Sequence, residues 1–324
     1  MSGSGAATTI QSGWNSNKQE HQVLVWAIAS QKGGVGKTTT VASLAGWLEK
    51  EGLRALVVDT DPHASLTAYL GFDDEQLDRN LFDLYKDPEL DREKVAQAIR
   101  HTRFKGLDII GSTMALATID RQLSGRAGVG RILSKILKFV DDDYDVALID
   151  CPPVLGALMV NALVAASLVL VPTQTEFLAL KGLEGMVRTF EIMGKATNGS
   201  GVDYIVVPTM FDRRTHASNS SLDFLRIHYR DHVWKGVIPV DTLFRESSAR
   251  NVPVPLMDKK SRGAEAYREL LCHCVRHELQ ACPDKVTPAA AALLTDDTEA
   301  EKHPDHEKEI AADMSTMLSA EEGA

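Results

Sequence analysis

Three groups of residues in this sequence have the types and spacing for chemistry on a phosphate. The first is Ser30-Gln31-Lys32-Gly33-Gly34-Val35-Gly36-Lys37-Thr38-Thr39-Thr40, which follows the apolar run Val23–Ala29. Glycines let backbone N–H groups turn inward with no Cβ in the way. A helix starting at the Lys-Thr pair would present its positive end to an anion. Lys37 is then placed to reach the β- and γ-phosphates, and the Thr38 hydroxyl to ligate Mg²⁺. Gln31 stands where the usual phosphate loop has its first glycine, and Lys32 is an additional cation. The second group is Asp59 and Asp61, at the end of Ala-Leu-Val-Val-Asp-Thr-Asp-Pro-His. The third is Asp150, which ends Val-Ala-Leu-Ile-Asp-Cys-Pro-Pro. An apolar strand ending in Asp brings a carboxylate close to a phosphate-bound metal. That role falls to Asp150, and a more distant one to Asp59. Asp61, two residues past its strand, is placed to orient an attacking water.

These groups need a scaffold that delivers strand ends to one place. Short apolar, β-branched runs occur at Val23–Ala29, Ala55–Asp59, Leu107–Ile110, Asp145–Ile149, Leu168–Val171, Tyr204–Val207 and Val237–Val240. Helix-period segments fall between most of them: Thr38–Lys50, Val129–Val140, Leu180–Ile192, Ser221–Tyr229 and Ala264–Leu279. The strands are continuously apolar rather than alternating, as in a parallel sheet covered on both faces. Alternating strands and helices predict a doubly wound α/β domain with a mostly parallel sheet. Ligands in such sheets bind beyond the carboxyl ends of the strands, where all three groups lie.

The 324 residues carry 44% hydrophobic and 25% charged side chains, an ordinary globular mixture. No apolar run approaches the roughly 20 residues of a membrane span, and Met1–His21 lacks the pattern of a secretory signal. Four unevenly spaced cysteines make no disulfide framework, so a cytoplasmic location is expected. The net charge of −10 is uneven: Pro283–Ala324 holds eleven acids and three lysines, net −8, leaving −2 for the rest. Residues 1–20 read as a disordered arm, 21–281 as one domain, and 282–324 as an acidic disordered tail.

The residues resemble the ParA/MinD superfamily of ATPases, whose phosphate loop is a deviant Walker A motif in a P-loop NTPase fold. The resemblance spans Val23 to Leu279. It rests on Lys32-Gly-Gly-Val-Gly-Lys-Thr-Thr39, Val58-Asp-Thr-Asp-Pro62, Asp150-Cys-Pro-Pro153, Pro172-Thr-Gln-Thr-Glu176, Ala179-Leu-Lys-Gly182, Pro208-Thr-Met-Phe-Asp-Arg213, Val237-Ile-Pro239 and Ser261-Arg-Gly-Ala-Glu-Ala-Tyr267. It implies an ATP- and Mg²⁺-dependent homodimer formed face to face around two nucleotides. Hydrolysis would be slow, and Lys32 would cross to the partner's phosphates. Lys32, Lys37 and Asp61 are the implied catalytic residues. Lys32, Gly33, Gly34, Val35, Gly36, Lys37, Thr38 and Thr39 would bind the nucleotide, as would Met210, Pro239 and Asp241 around the base. Asp241 departs from the Asn usual there. Thr38, Asp59 and Asp150 would form the metal site.

Within the superfamily, the chromosome-partition branch carries a pattern similar to Ile-Pro-Arg-Asn-Val-Arg-Leu-Ser-Glu-Ala. Here Val240 and Leu243 replace its two arginines. Phosphate neutralisation supplies the non-specific affinity for DNA, so DNA binding is disfavoured. The late cations Arg213, Arg214, Arg245, Arg250, Lys259, Lys260 and Arg262 read as a solvated face, with a DNA patch as the alternative. The MinD branch docks on membrane through a basic amphipathic helix; Glu309–Ala320 has no Lys or Arg, so membrane insertion is not expected. Asp59–Thr67, Tyr69-Leu-Gly71, Leu163 after Val160-Asn-Ala, Met186-Val-Arg-Thr189 and Pro239–Ser248 are similar to the ParC-type ATPases that localise chemotaxis arrays. That similarity implies a chemotaxis coupling protein and a polar anchor protein as partners, and polar foci in the cell.

Other readings fit parts of the sequence. ATP-dependent amide synthases of the cobyrinate type share this fold, but no segment is left for a glutaminase domain, and Lys32 and Asp61 would go unused. His273 and His277, at i and i+4, could chelate a metal beside Cys272, Cys274 and Cys282. The spacing meets no zinc pattern, and ordinary helix residues are the simpler reading. Cys151 is a small residue at a packed strand end, and one cysteine there does not make an iron–sulfur site. Trp26 and Trp47 are expected in the core.

Overall fold

Residue 24 begins the first of seven strands that run side by side through the molecule. The computed structural model describes residues 22–123, 129–196 and 201–295. In chain order the elements are β1 (Leu24–Ile28), α1 (Lys37–Lys50), β2 (Ala55–Asp59), α2 (Ser65–Tyr69), α3 (Leu81–Lys86), α4 (Arg92–Ala98), β3 (Ile99–His101), β4 (Leu107–Ile110), α5 (Leu116–Leu123), α6 (Ile132–Lys138), β5 (Val146–Asp150), α7 (Ala157–Ala165), β6 (Leu168–Gln174), α8 (Phe177–Ala196), β7 (Tyr204–Thr209), α9 (His216–His228), α10 (Leu243–Arg250), α11 (Val254–Met257), α12 (Arg262–Ala281) and α13 (Pro288–Ala292). The strand order is β3-β4-β2-β5-β1-β6-β7, parallel except for the edge pair β3·β4. This is the expected doubly wound, mostly parallel α/β sheet in a single domain.

Alternate strand residues feed two cores, which is why the runs are continuously apolar. Val25, Ala27 and Val58 pack under α3–α8. Leu24, Trp26, Ile28 and Val57 pack under α1, α2 and α12. Trp26 and Trp47 are both buried; their indole N–H groups donate to Glu278 Oε1 and to the Ala264 carbonyl. Each fully buried aliphatic side chain contributes about 1.5–3 kcal/mol.

The structure departs from expectation in three places. Val237–Val240 forms no strand: it meets the sheet margin through an isolated bridge, Pro239 to Phe211, and a bond from Ile238 N to the Pro208 carbonyl. Gly236 and Pro239 interrupt the run, and proline has no N–H for a ladder. The short β3 was not expected; three residues carry too little period to read. The acidic tail also begins later than residue 282. Thr287 caps α13, and Ala290 and Leu293 are buried in the core beside α12. The expected arm at 1–20 and the remainder of the tail, including Glu309–Ala320, lie outside the described residues. Among those described, no helix is long and apolar enough to cross a membrane.

Candidate nucleotide site

The carboxyl ends of β1, β2 and β5 meet at one point, because β5 lies between β1 and β2 with Asp59 directly opposite Asp150. The loop from Ser30 to Gly36 leaves β1 and feeds α1. Gly34 and Gly36 take φ of +75° and +97°, a left-handed conformation open to glycine at little cost. A Cβ added at Gly33, Gly34 or Gly36 would meet nothing, so the loop wraps open space. No side chain caps the N-terminus of α1, and its free N–H groups form a positive end. The first turn of α1 is rich in threonine, a middling helix former. Its hydroxyls are used elsewhere: Thr38 donates to Asp150 Oδ2 at 2.6 Å, and Thr40 pairs with Tyr267 at 2.9 Å.

Asp150 is buried, and its Oδ1 has no hydrogen-bond partner. Burial, and next the charge of Asp59, raise its carboxyl well above the ordinary range, opposed by Thr38 and Lys37. Asp59 is pushed up to about 6, chiefly by burial. Its Oδ2 accepts from Thr67 N at 2.9 Å and Thr67 Oγ1 at 2.7 Å, and its Oδ1 from Asp61 N at 3.1 Å. Asp59 thus orders the loop that carries Asp61. Two buried carboxylates, one with an orphaned oxygen, beside an open glycine cradle and an uncapped helix end fit a polyphosphate with its divalent cation.

Asp61 lies close enough to Asp150 for its charge to act there. Its Oδ1 accepts from His63 N and contacts His63 Nδ1 at 2.9 Å, and Ser112 Oγ holds its carbonyl at 2.6 Å. Lys37 is nearly buried, with Nζ 3.2 Å from the Lys32 carbonyl. Lys32 Nζ is 3.4 Å from Gln174 Oε1 and 4.0 Å from Glu176 Oε2, two residues that also border the cleft beside the loop. Helix α8 can approach this loop because Gly185 is small. A Cβ there would lie 2.6 Å from Gln31 Oε1.

A cleft of about 800 Å³ adjoins the loop and is bordered by Val35, Gly36 and Thr39. Met210, Pro239 and Asp241 face it from the opposite side, so the structure gathers all the base-site candidates. Met210 takes φ +53°, which costs about 1–2 kcal/mol for a residue with a Cβ. Backbone bonds between Phe211 and Ile238–Val240 hold this wall. The Asp241 oxygens accept from Leu243 N and Gly263 N, so this carboxylate secures the starts of α10 and α12.

Sequence reading missed Thr67, Ser112 and His63, which hold Asp59 and Asp61; only the alternation of Asp and Thr around residue 60 hinted at them. Of the late cations, Arg214 pairs with Asp212 and Arg250 with Glu246, and Arg245 faces the cleft. Cys151, Cys272 and Cys274 are buried. Among the described residues no three His, Cys, Asp or Glu side chains come together as a metal-ligating group.

The strand–glycine loop–helix turn with strand-end aspartates defines a P-loop nucleotide site. A family model described as AAA domain matches residues 23–200. The chain is 36% identical to the sporulation initiation inhibitor protein Soj of Bacillus subtilis, over 75% of this chain and 95% of Soj. It is 36% identical to the chromosome partitioning protein ParA of Caulobacter vibrioides, over 78% and 94%. The crystal structure of cobyrinic acid a,c-diamide synthase from Mycobacterium smegmatis, with bound ADP and magnesium, superposes with TM-score 0.66 at 33% identity. It covers 82% of this chain and 100% of that one. The chain belongs to the ParA/MinD superfamily of ATPases.

Proposed function

We propose that this protein is an ATP-dependent dimerising switch that hydrolyses ATP slowly and positions a cellular cargo. The observation that carries the reading is a second loop cation: Lys37 is nearly buried on the loop, while Lys32 is partly exposed and held by Gln174 and Glu176 at the cleft border. Such a spare cation could serve the phosphates of a second copy, as an arginine finger does. The surrounding rim supports this. Met114, Val154, Leu155, Phe177 and Leu178 follow β4, β5 and β6 and are exposed, as suits a face covered by another molecule.

In this reading the loop N–H groups and Lys37 hold the phosphates of ATP. Lys37 leaves the Lys32 carbonyl to do so. Thr38 and Asp150 hold Mg²⁺, which supplies charge neutralisation on the phosphate oxygens. Asp59 keeps the following loop in place, and Asp61 orients the attacking water. Met210 and Pro239 flank the base. The test is sedimentation with ATP: Lys32→Ala should bind ATP yet stay monomeric. An unchanged dimer fraction would remove the cross-subunit role.

For the cargo we favour polar chemotaxis arrays, reached through a coupling protein and a polar anchor, with the protein cytoplasmic and concentrated at polar foci. The support is the resemblance over Asp59–Thr67 and Pro239–Ser248, together with Val240 and Leu243 in place of cations. The names of the partitioning relatives favour a second reading, carriage on non-specific DNA. Fluorescence anisotropy of a labelled duplex with protein, ATP and Mg²⁺ separates the two. Binding that weakens steeply with salt means DNA partition, and no binding by confirmed ATP dimers favours the array reading. An amide synthase would show turnover that requires a carboxylate and an amine.

A further inference from the structure

At the end of the sheet opposite the nucleotide site, a pocket of about 680 Å³ opens between β7, the segment Arg230–Gly236 and the last turns of α12. Its lining carries the cations Arg230, Lys235 and Arg276 and the histidines His232, His273 and His277, against the acids Asp231 and Glu269. His277 contacts Asp203 at 2.7 Å, and His232 stacks on Tyr204 with ring centroids 4.1 Å apart. Arg226 adds a fourth cation at the margin, donating to the Lys235 carbonyl. None of Arg230, Lys235 and Arg276 has an ion-pair partner among the described residues. Three cations outnumber the two acids in the lining, and besides burial the neighbouring His277, Arg276 and Lys235 hold the His273 pKa below its ordinary value.

The chain itself runs to this place. After α12 it turns through α13 and packs back on the same helix. There the Leu293 carbonyl lies 3.9 Å from Sγ of Cys272, a residue that lines the pocket. The sequence then becomes acidic. Residues 296–324 hold ten acids and two lysines, net −8, and Asp296, Asp297, Glu299 and Glu301 come first. We propose that residues 296–324 of this chain dock on the cationic pocket formed by Arg230, Lys235, His273 and Arg276. The pairing needs no long reach, because Leu293, three residues before the acidic run, touches Cys272 of the pocket lining. A tethered anion also occupies a weak site at an effective concentration in the millimolar range for a short flexible linker. The tail would then shield this end from other polyanions, with an occupancy that salt adjusts.

The test uses the full chain with the photoreactive residue p-benzoylphenylalanine in place of Thr298. Adducts are mapped by mass spectrometry after irradiation at low salt. Equal mixing of isotopically light and heavy protein separates adducts within a chain from those between copies. The expected result is adducts within one chain, on 230–236 or 269–277. They should fall roughly fivefold in the double variant Lys235→Glu, Arg276→Glu and in 0.5 M salt, which screens the attraction. Circular dichroism and ATP turnover check that the variant is folded. Adducts elsewhere, adducts only between copies, or a yield indifferent to both charge reversal and salt would overturn the proposal. Displacement of the adducts by a duplex oligonucleotide, with the charge dependence intact, would support it and identify the polyanion the tail excludes.

Discussion

Asp59 and Asp150 stand side by side in the interior at the carboxyl ends of β2 and β5, whereas at the amino end of β7 cations and histidines surround an open pocket. The two ends differ in burial as much as in sign. The carboxylates are shut away, and Asp150 Oδ1 is left without a partner, a state that costs stability until a cation arrives. The amino-end groups keep access to water; His277 and Asp203 are 32% and 40% exposed, and such pairs contribute little. Strain is therefore concentrated where binding can relieve it. The other end is soft and responsive to salt.

The largest expected effect breaks the carboxyl end outright. Lys37→Gln removes a nearly buried cation from the loop, and nucleotide affinity should fall on the order of 10³-fold. Titration with a fluorescent ATP analogue measures it, and affinity within tenfold of the parent would mean that the cradle alone holds the phosphates. Next is Asp61→Ala. If Asp61 orients the water, turnover should drop about 10²-fold with ATP binding intact. Dimers formed with ATP should then accumulate in sedimentation; persistent monomer removes Asp61 from this role.

A smaller effect sharpens the contrast in burial. Asp150→Asn should raise the melting temperature of the nucleotide-free protein, by about 1–2 kcal/mol of stability, because a buried charge is replaced by a neutral isostere. It should also lose the extra stabilisation that ATP and Mg²⁺ give the parent. The pH dependence follows from Asp59, held near 6 against an ordinary 3.8. Between these values the folded chain binds more protons than the unfolded one. Stability of the nucleotide-free protein should therefore decline as pH rises from about 4 to 6, and Asp150, raised well above its ordinary value, should carry the decline further. A denaturant series across that range checks the sign, and stability that rises through the window contradicts the buried pair.

The carboxyl end was the legible one. A phosphate site needs glycines, a Lys-Thr pair and strand-end aspartates at fixed local spacing, so Lys32–Thr39, Asp59 and Asp150 could be read from the residues alone. Their supports could not. Thr67 reaches Asp59 across eight residues, Ser112 reaches Asp61 across 51, and Gln174 reaches Lys32 across 142. No local period encodes such pairings. Val237–Val240 has the composition of a strand, yet it bonds to β7 only through Ile238 N to the Pro208 carbonyl and otherwise to Phe211 just beyond the strand. The amino-end pocket was invisible because its cations come from separate segments. His273 and His277 read as ordinary helix residues rather than metal ligands; in the structure His273 lies near Arg276 and Lys235, and His277 contacts Asp203.

The smallest expected effect lies at that amino end. His277 Nε2 meets Asp203 Oδ2 at 2.7 Å, and both side chains are partly open to solvent. His277→Gln keeps a donor of similar reach and should cost no more than about 1 kcal/mol in urea denaturation, with ATP turnover unchanged. The carboxyl end should respond to an equally conservative change, Asp150→Asn, in both stability and nucleotide response. A loss of 3 kcal/mol or more at His277 would mean that the contact is effectively buried. The softness of the amino end would then be wrong, and docking of the acidic tail would need a different surface. A small loss with unaltered turnover leaves the two ends energetically separate, as expected for residues on opposite edges of one sheet with no shared partner.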